Sequence, residues 1–315
     1  MNILIFLIGL AALLIGSFTD LKKREVPDWL NYGLMFTGIG VSLLFSVIYW
    51  DFWILLSSII GLAAMFVLGS IMFYTGQWGG GDSKMIMGIG ALIGIPASWP
   101  LKEMVVSWEL QVPFLFSFIL YSFVVGAVYG LFWTIVLAIK HRKGFVAEFI
   151  YLLDMRRNIT KKIIRVGFIV IILSSVGLLF FAKYFILKIV PLGLSILVII
   201  AYWMYFFIKA TEQSSMIKHV QPEELTEGDW ISSDVFVDTG EGKGRVYITG
   251  PKDLGISKEQ IQKLISLKAH GKLKDEKGRK LLIDVKIGIP FVPSFLFGYL
   301  LSYFIGTGWL IGLIR

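Results

Sequence analysis

The chain has 315 residues, 56% of them hydrophobic and 17% charged, and its mean hydropathy is +0.76. Soluble domains carry about a quarter charged residues, so this chain lacks the polar side chains to coat a water-facing surface, and its apolar excess lies in long blocks suited to lipid. The absence of cysteine excludes disulfides, thiolate metal sites and a cysteine nucleophile, while the net charge of +8 reads as loop topology rather than nucleic-acid binding.

Apolar runs near 2–19, 30–49, 53–74, 83–98, 113–139, 166–186, 189–208 and 288–313 approach the roughly 17–25 residues of a bilayer-spanning helix. The fourth is short, and the last reads as a broken or tilted span. No Lys or Arg precedes Lys22, and Gly16-Ser17-Phe18-Thr19-Asp20 is a poor cleavage site, so the first run reads as a retained helix rather than a signal peptide. Basic residues follow every second span. Lys22, Lys23 and Arg24 follow the first, Lys140, Arg142 and Lys143 the fifth, and Lys209 and Lys218 the seventh. The positive-inside rule then puts the N-terminus outside and these loops in the cytoplasm. In the long basic loop 140–165, Phe145 to Leu153 reads as an interfacial helix drawn to anionic lipid.

Residues 210–286 are charged and carry turn signals such as Asp238-Thr239-Gly240 and Gly250-Pro251. Segments 234–238, 245–249 and 280–287 read as strands. Ile256 to Leu267 reads as a helix with Ser257 as N-cap and Gln260 three residues on. The expected fold is an all-α polytopic membrane bundle of about eight transmembrane helices, with a small α+β cytoplasmic domain inserted before the last helix. The expected boundaries are a core over 1–209, the soluble domain over 210–286 and a final helix over 287–315.

Two carboxylates stand out. Asp20 ends the first span and Asp82 opens the fourth, so topology puts both at the cytoplasmic face and at similar depth. Ionisable residues at the edge of hydrocarbon are functional candidates. A pair of this kind suits aspartic peptidase chemistry, in which one carboxylate activates a water and the other, protonated, polarises the scissile carbonyl. Such a pair titrates as a unit. Asp82 lies at a helix N-terminus, which favours a carboxylate, and Asp20 at a C-terminus, which does not. Asp82 is therefore expected to be the ionised partner and Asp20 the protonated one. Gly79-Gly80-Gly81 just ahead of Asp82 would allow positive φ and close approach of an extended substrate.

Gly79-x-Gly81-Asp82 opening a short helix resembles the GxGD signature of intramembrane-type aspartic peptidases. The block Asp20-Leu21-Lys22-Lys23-Arg24-Glu25-Val26-Pro27-Asp28-Trp29-Leu30-Asn31 resembles the prepilin peptidase pattern of an aspartate, a basic stretch and a Val/Ile-Pro-Asn/Asp-x-Leu start of the second helix. The likeness covers 15–140 well. Residues 210–286 with Gly288-Ile289-Pro290-Phe291-Val292-Pro293 resemble the longer archaeal-type prepilin and preflagellin peptidases. The resemblance implies a membrane aspartic endopeptidase with Asp20 and Asp82 catalytic and Gly79 and Gly81 in the active-site loop. It implies removal of short basic leaders from type IV pilin-like or archaellin precursors at the cytoplasmic face, with no cofactor. The cysteine-rich zinc region common in bacterial prepilin peptidases has no counterpart here, so the resemblance implies a peptidase without methyltransferase activity.

Glu25, Pro27 and Lys84 are candidates for substrate contact or support. Glu25 is the acidic group nearest the dyad that a basic leader would meet, Pro27 suits a helix start, and Lys84 is read either as a partner of Asp82 or as snorkelling to the interface. Gly90 and Gly94 read as a close-packing pair in the fourth span. His141, His219 and His270 lack metal-ligand spacing, so no metal is expected. The expected partners are a precursor protein and the lipid bilayer, and no nucleic acid. A transporter or channel that uses the paired carboxylates for a proton or cation is the alternative.

Overall fold

Lipid offers no partners to backbone N–H and C=O groups, so apolar segments of this length form helices that satisfy themselves. The computed structural model describes residues 3–96, 113–154, 166–177 without 168 and 171, 184–238, 245–270 and 282–306. In chain order the helices are α1 (Ile3–Lys23), α2 (Asp28–Tyr49), α3 (Phe52–Tyr74), α4 (Gly80–Ile93), α5 (Phe114–Lys140), α6 (Arg142–Asp154), α7 (Phe185–Thr211), α8 (Lys258–Ala269) and α9 (Val292–Phe304). Among the described residues five helical stretches are long and apolar enough to cross a membrane: α1, α2, α3, α5 and Ile189–Met216. The chain is thus a helical membrane protein with a small α+β region. The expected fourth and last spans appear as the shorter helices α4, of 14 residues, and α9, of 13. The sixth expected span and the far end of the eighth fall partly outside the described residues.

The chain divides into two compact units, Met1–Trp133 with Gly288–Arg315, and Thr134–Ile287. In the first unit α4 is wedged against α2 and α3 by direct backbone contact. A methyl placed on Gly38 of α2 would come within 2.5 Å of the Leu92 backbone nitrogen, and one on Gly90 of α4 within 2.5 Å of the Gly61 carbonyl oxygen of α3. Ser58 adds a hydrogen bond to the Ala91 carbonyl. Gly90 therefore packs as expected. Gly94 does not continue the helix: it ends α4 with φ of 72° and sits against Ser57. On the other side α1 lies along α9, where fully buried Tyr299 stacks on Phe6 with centroids 5.4 Å apart.

In the second unit α6 packs on α7, with Phe145 5.3 Å from the Phe207 ring. A π-helical turn, Glu212–Met216, leads from α7 into the α+β region. There β1 (Ile217–Val220), β5 (Ile283–Lys286) and β2 (Trp230–Ile231) form an antiparallel sheet in the order β1-β5-β2. β3 (Val235–Asp238) pairs with β4 (Arg245–Thr249) as a hairpin. Their shared core includes Ile231, Val237, Ile248, Ile256, Leu264 and Ile283. The Ser257–Gln260 capping box opens α8 as the sequence predicts.

Candidate active site

α1 stops because Arg24 takes a left-handed conformation, with φ of 61°, and returns its N–H to the Asp20 carbonyl at 2.8 Å. This is the αL form of C-cap, normally a glycine's place; for arginine it costs roughly 1–2 kcal/mol. The chain then passes through Glu25 and Val26 to Pro27, which is extended. Pro27 caps α2 from outside the helix, and its carbonyl accepts from the Leu30 and Asn31 N–H groups.

This turn fixes the start of α4. A methyl on Gly81 would lie 3.0 Å from Val26 Cβ and 3.2 Å from the Val26 backbone nitrogen. Asn31 Nδ2 donates to the Gly81 carbonyl at 3.3 Å. Gly81 is therefore pinned from both sides, and its lack of a side chain is explained by Val26. The expectation of positive φ in this tripeptide is corrected: Gly79 has φ of −69° as the α4 N-cap, Gly80 and Gly81 form the first helical turn, and none of the three has positive φ.

The register of α1 against α4 brings the aspartates together. Gly9 lies against Leu92 and Gly16 against Met85, so the two helices run antiparallel and in step. Four residues beyond Gly16 stands Asp20, and three before Met85 stands Asp82, which puts both at one level on facing helices. The two carboxylates interact electrostatically. Asp82 is half-buried, and its Oδ2 accepts the Gly79 N–H of its own helix start at 3.0 Å. Asp20 is only 4% exposed, and its Oδ2 accepts the Val292 N–H at 3.0 Å.

Val292 is the first residue of α9, so Asp20 also sits at a helix N-terminus. The dipole argument that set Asp82 apart as the ionised partner therefore applies to both carboxylates and no longer separates them. The segment 288–291 ahead of α9 is held in place independently. The Arg24 guanidinium donates to the Gly288 carbonyl and lies 5.6 Å over the Trp133 ring. Phe291 packs 5.5 Å from Trp78 and 5.2 Å from Phe295, and against Gly126 of α5.

Of the other predicted residues, Glu25 is exposed in the α1–α2 turn and Pro27 caps α2. The Lys84 Nζ pairs with Asp28 Oδ1 at 2.6 Å and lies 5.2 Å over the Tyr32 ring. It ties the start of α2 to the start of α4. The sequence reading missed Val26, Asn31 and Val292 as supports of the site, and treated Arg24 as a topology anchor. Val26 and Asn31 lie inside the recognised block, so their roles had a local signal. Among the described residues no three His, Asp or Glu side chains converge as a metal-binding group.

Residues 7–131 match the sequence model of the type IV leader peptidase family. The chain is 40% identical over 99 residues to the preflagellin peptidase of Methanocaldococcus jannaschii, a match covering 30% of this chain and 42% of that relative. It is 39% identical over 88 residues to the preflagellin peptidase of Methanococcus maripaludis, covering 28% and 38%. The aligned stretches thus span less than half the length of these two relatives. A prepilin peptidase of Methanothermobacter thermautotrophicus is 21% identical over 95% of this chain and 93% of its own length. No solved structure matches. The matched segment holds most of α1, all of α2 to α4, both aspartates and the glycines ahead of Asp82, and over residues 7–131 the chain is similar to the type IV leader peptidase family.

Proposed function

We propose that the chain is an aspartic endopeptidase that removes the short basic leader from type IV pilin-like or archaellin precursors, with Asp20 and Asp82 as its catalytic pair. The observation that carries this reading is the antiparallel register of α1 and α4, which sets the two carboxylates at one level while separate backbone donors hold each. One carboxylate takes a proton from a water held between them as its oxygen adds to the scissile carbonyl. The other gives its proton to the carbonyl oxygen, and the tetrahedral species collapses by breaking the C–N bond as the amine is protonated. Gly79 and Gly81 shape the loop in which this happens. Exposed Glu25 beside the site is the acidic group a basic leader would meet.

The charged loops after the first, fifth and seventh expected spans support cytoplasmic placement of both aspartates and of 210–286, with the N-terminus outside. The relatives named preflagellin and prepilin peptidase support the substrate class. Co-expression with candidate precursors tests the reading. Leader removal is expected with the natural chain, with a loss of about 10²–10⁴-fold in Asp20→Asn and in Asp82→Asn. Cleavage that persists in either variant, or no cleavage of any pilin-like precursor by the natural chain, overturns it.

A further inference from the structure

The turn between α2 and α3 holds a strained residue that the fold itself does not explain. Trp50 has φ of 52° and ψ of 36°, a left-handed conformation in which Cβ crowds the following carbonyl and which glycine usually occupies. The conformation is firmly held. The Trp50 N–H donates to the Val47 carbonyl, the Asp51 N–H to the Ser46 carbonyl at 3.0 Å, and the Ser46 hydroxyl to the Asp51 carbonyl at 2.8 Å. Yet Trp50 is 93% exposed, so packing against the protein does not offset the strain. An outlier of this kind points to a function.

Its neighbours are presented the same way: Tyr49, Phe52 and Trp53 are all exposed. Asp51 is the one charged residue among them, and its carboxylate is engaged as the N-cap of α3, accepting the Trp53 N–H at 2.9 Å. Helix length says what covers this aromatic turn. α2 has 22 residues and α3 has 23, about 33–35 Å each at 1.5 Å per residue, against about 30 Å of hydrocarbon. Both are membrane-length helices, joined through Trp50 and Asp51 alone, so their shared end emerges in the headgroup layer. Trp and Tyr, with an apolar body and a polar N–H or O–H, favour that layer.

We infer that the Tyr49–Trp53 turn is a lipid anchor, with the Trp50 and Trp53 indoles seated among the phospholipid headgroups. The hydrogen-bonded turn keeps the Trp50 ring off the protein, ready to enter that layer, and the lipid contact offsets its strained backbone. The anchor also sets a level inside the membrane. The Ile95 N–H, just past α4, donates to the Ser57 carbonyl in the second turn of α3 at 2.9 Å. The end of the helix that carries Asp82 is therefore fixed relative to the anchored turn.

The chain has no cysteine, so a nitroxide on Ile48→Cys, exposed beside the turn, reports the depth of this turn alone. The full chain is placed in discs of phosphatidylcholine with short or with long acyl chains. Collisions of the label with lipid-soluble oxygen and with a water-soluble nickel chelate give its depth. With the natural turn, the label is expected to stay at the headgroup boundary in both bilayers. In Trp50→Gly/Trp53→Ala it is expected to shift with thickness, lying deeper in the long-chain discs. A label that keeps its depth in the double variant overturns the inference. So does a label on the natural turn that the chelate reaches as freely as at Lys252→Cys, an exposed site in the α+β region. A label shielded from oxygen and chelate alike also overturns it, because protein rather than lipid then covers the turn. Glycine suits the left-handed backbone, so the double variant is expected to melt no lower than the natural turn in detergent. If it melts lower, the same depth measurement on Trp50→Asn/Trp53→Ala decides, since asparagine also accepts this conformation.

Discussion

At the scale of single residues, Gly79 and Gly81, two positions apart at the start of α4, do different work. Gly81 is in contact with Val26 and leaves no room for a side chain. The methyl of Gly81→Ala forces Val26 outward, and overpacking of this kind costs about 1–3 kcal/mol. Because Asp82 is the next residue, cleavage is expected to fall about tenfold or more. At Gly79 an added Cβ meets only Asp82 Oδ2, at 3.4 Å, and φ is negative. Gly79→Ser, a favoured N-cap, is expected to leave melting in detergent unchanged. Equal melting of the two variants would remove the Val26 contact as the reason for Gly81. The aspartates themselves were legible because each lies in a short local block.

At the scale of elements, the end of α1 and the start of α9 behave as one device, coupled through Arg24. Its left-handed backbone and its side-chain grip on Gly288 are separable. Arg24→Gly relieves the backbone and loses the grip, whereas Arg24→Ala keeps the strain and loses the grip. Arg24→Gly is therefore expected to exceed Arg24→Ala in stability by about 1 kcal/mol, read as a higher melting temperature. Both are expected to cleave more slowly than the natural chain, and natural kcat in Arg24→Gly would show that the Gly288 contact does not support the site. The sequence marks both helices through their hydropathy and the Val-Pro start of α2. It does not mark their meeting, because Val292 and Asp20 share no pattern that either segment carries alone. The same gap undid the dipole argument, which counted only the helix that each aspartate belongs to.

At the scale of the whole molecule, the α+β region is inserted with its two ends adjacent. Ile217 pairs with Lys286 across the β1–β5 ladder, and the Ile287 N–H donates to the Met216 carbonyl at 2.8 Å. A segment whose ends meet can be removed with a short turn in its place. Replacing 217–286 by a Gly-Ser turn is expected to leave cleavage of a precursor peptide within about threefold, since the aspartates and their donors all lie in the other unit. A loss of tenfold or more would assign this region a part in catalysis or substrate entry. Strands β3, β4 and β5 were legible in the sequence, but β1 and β2 were not, and neither was the order β1-β5-β2, because it joins the first and last strands of the insert.

The bond from Val292 to Asp20 joins residues 272 apart, and that distance in sequence is also a delay in time. A ribosome adding about 5–20 residues per second needs on the order of 10–40 s to pass from Asp82 to Val292. Throughout that interval both acidic groups are already made, yet Asp20 lacks the amide that holds it. On the peptidase reading proposed above, the nascent chain stays incomplete while it is threaded into the bilayer, and the arrival of its last described helix is the step that completes the hold on Asp20.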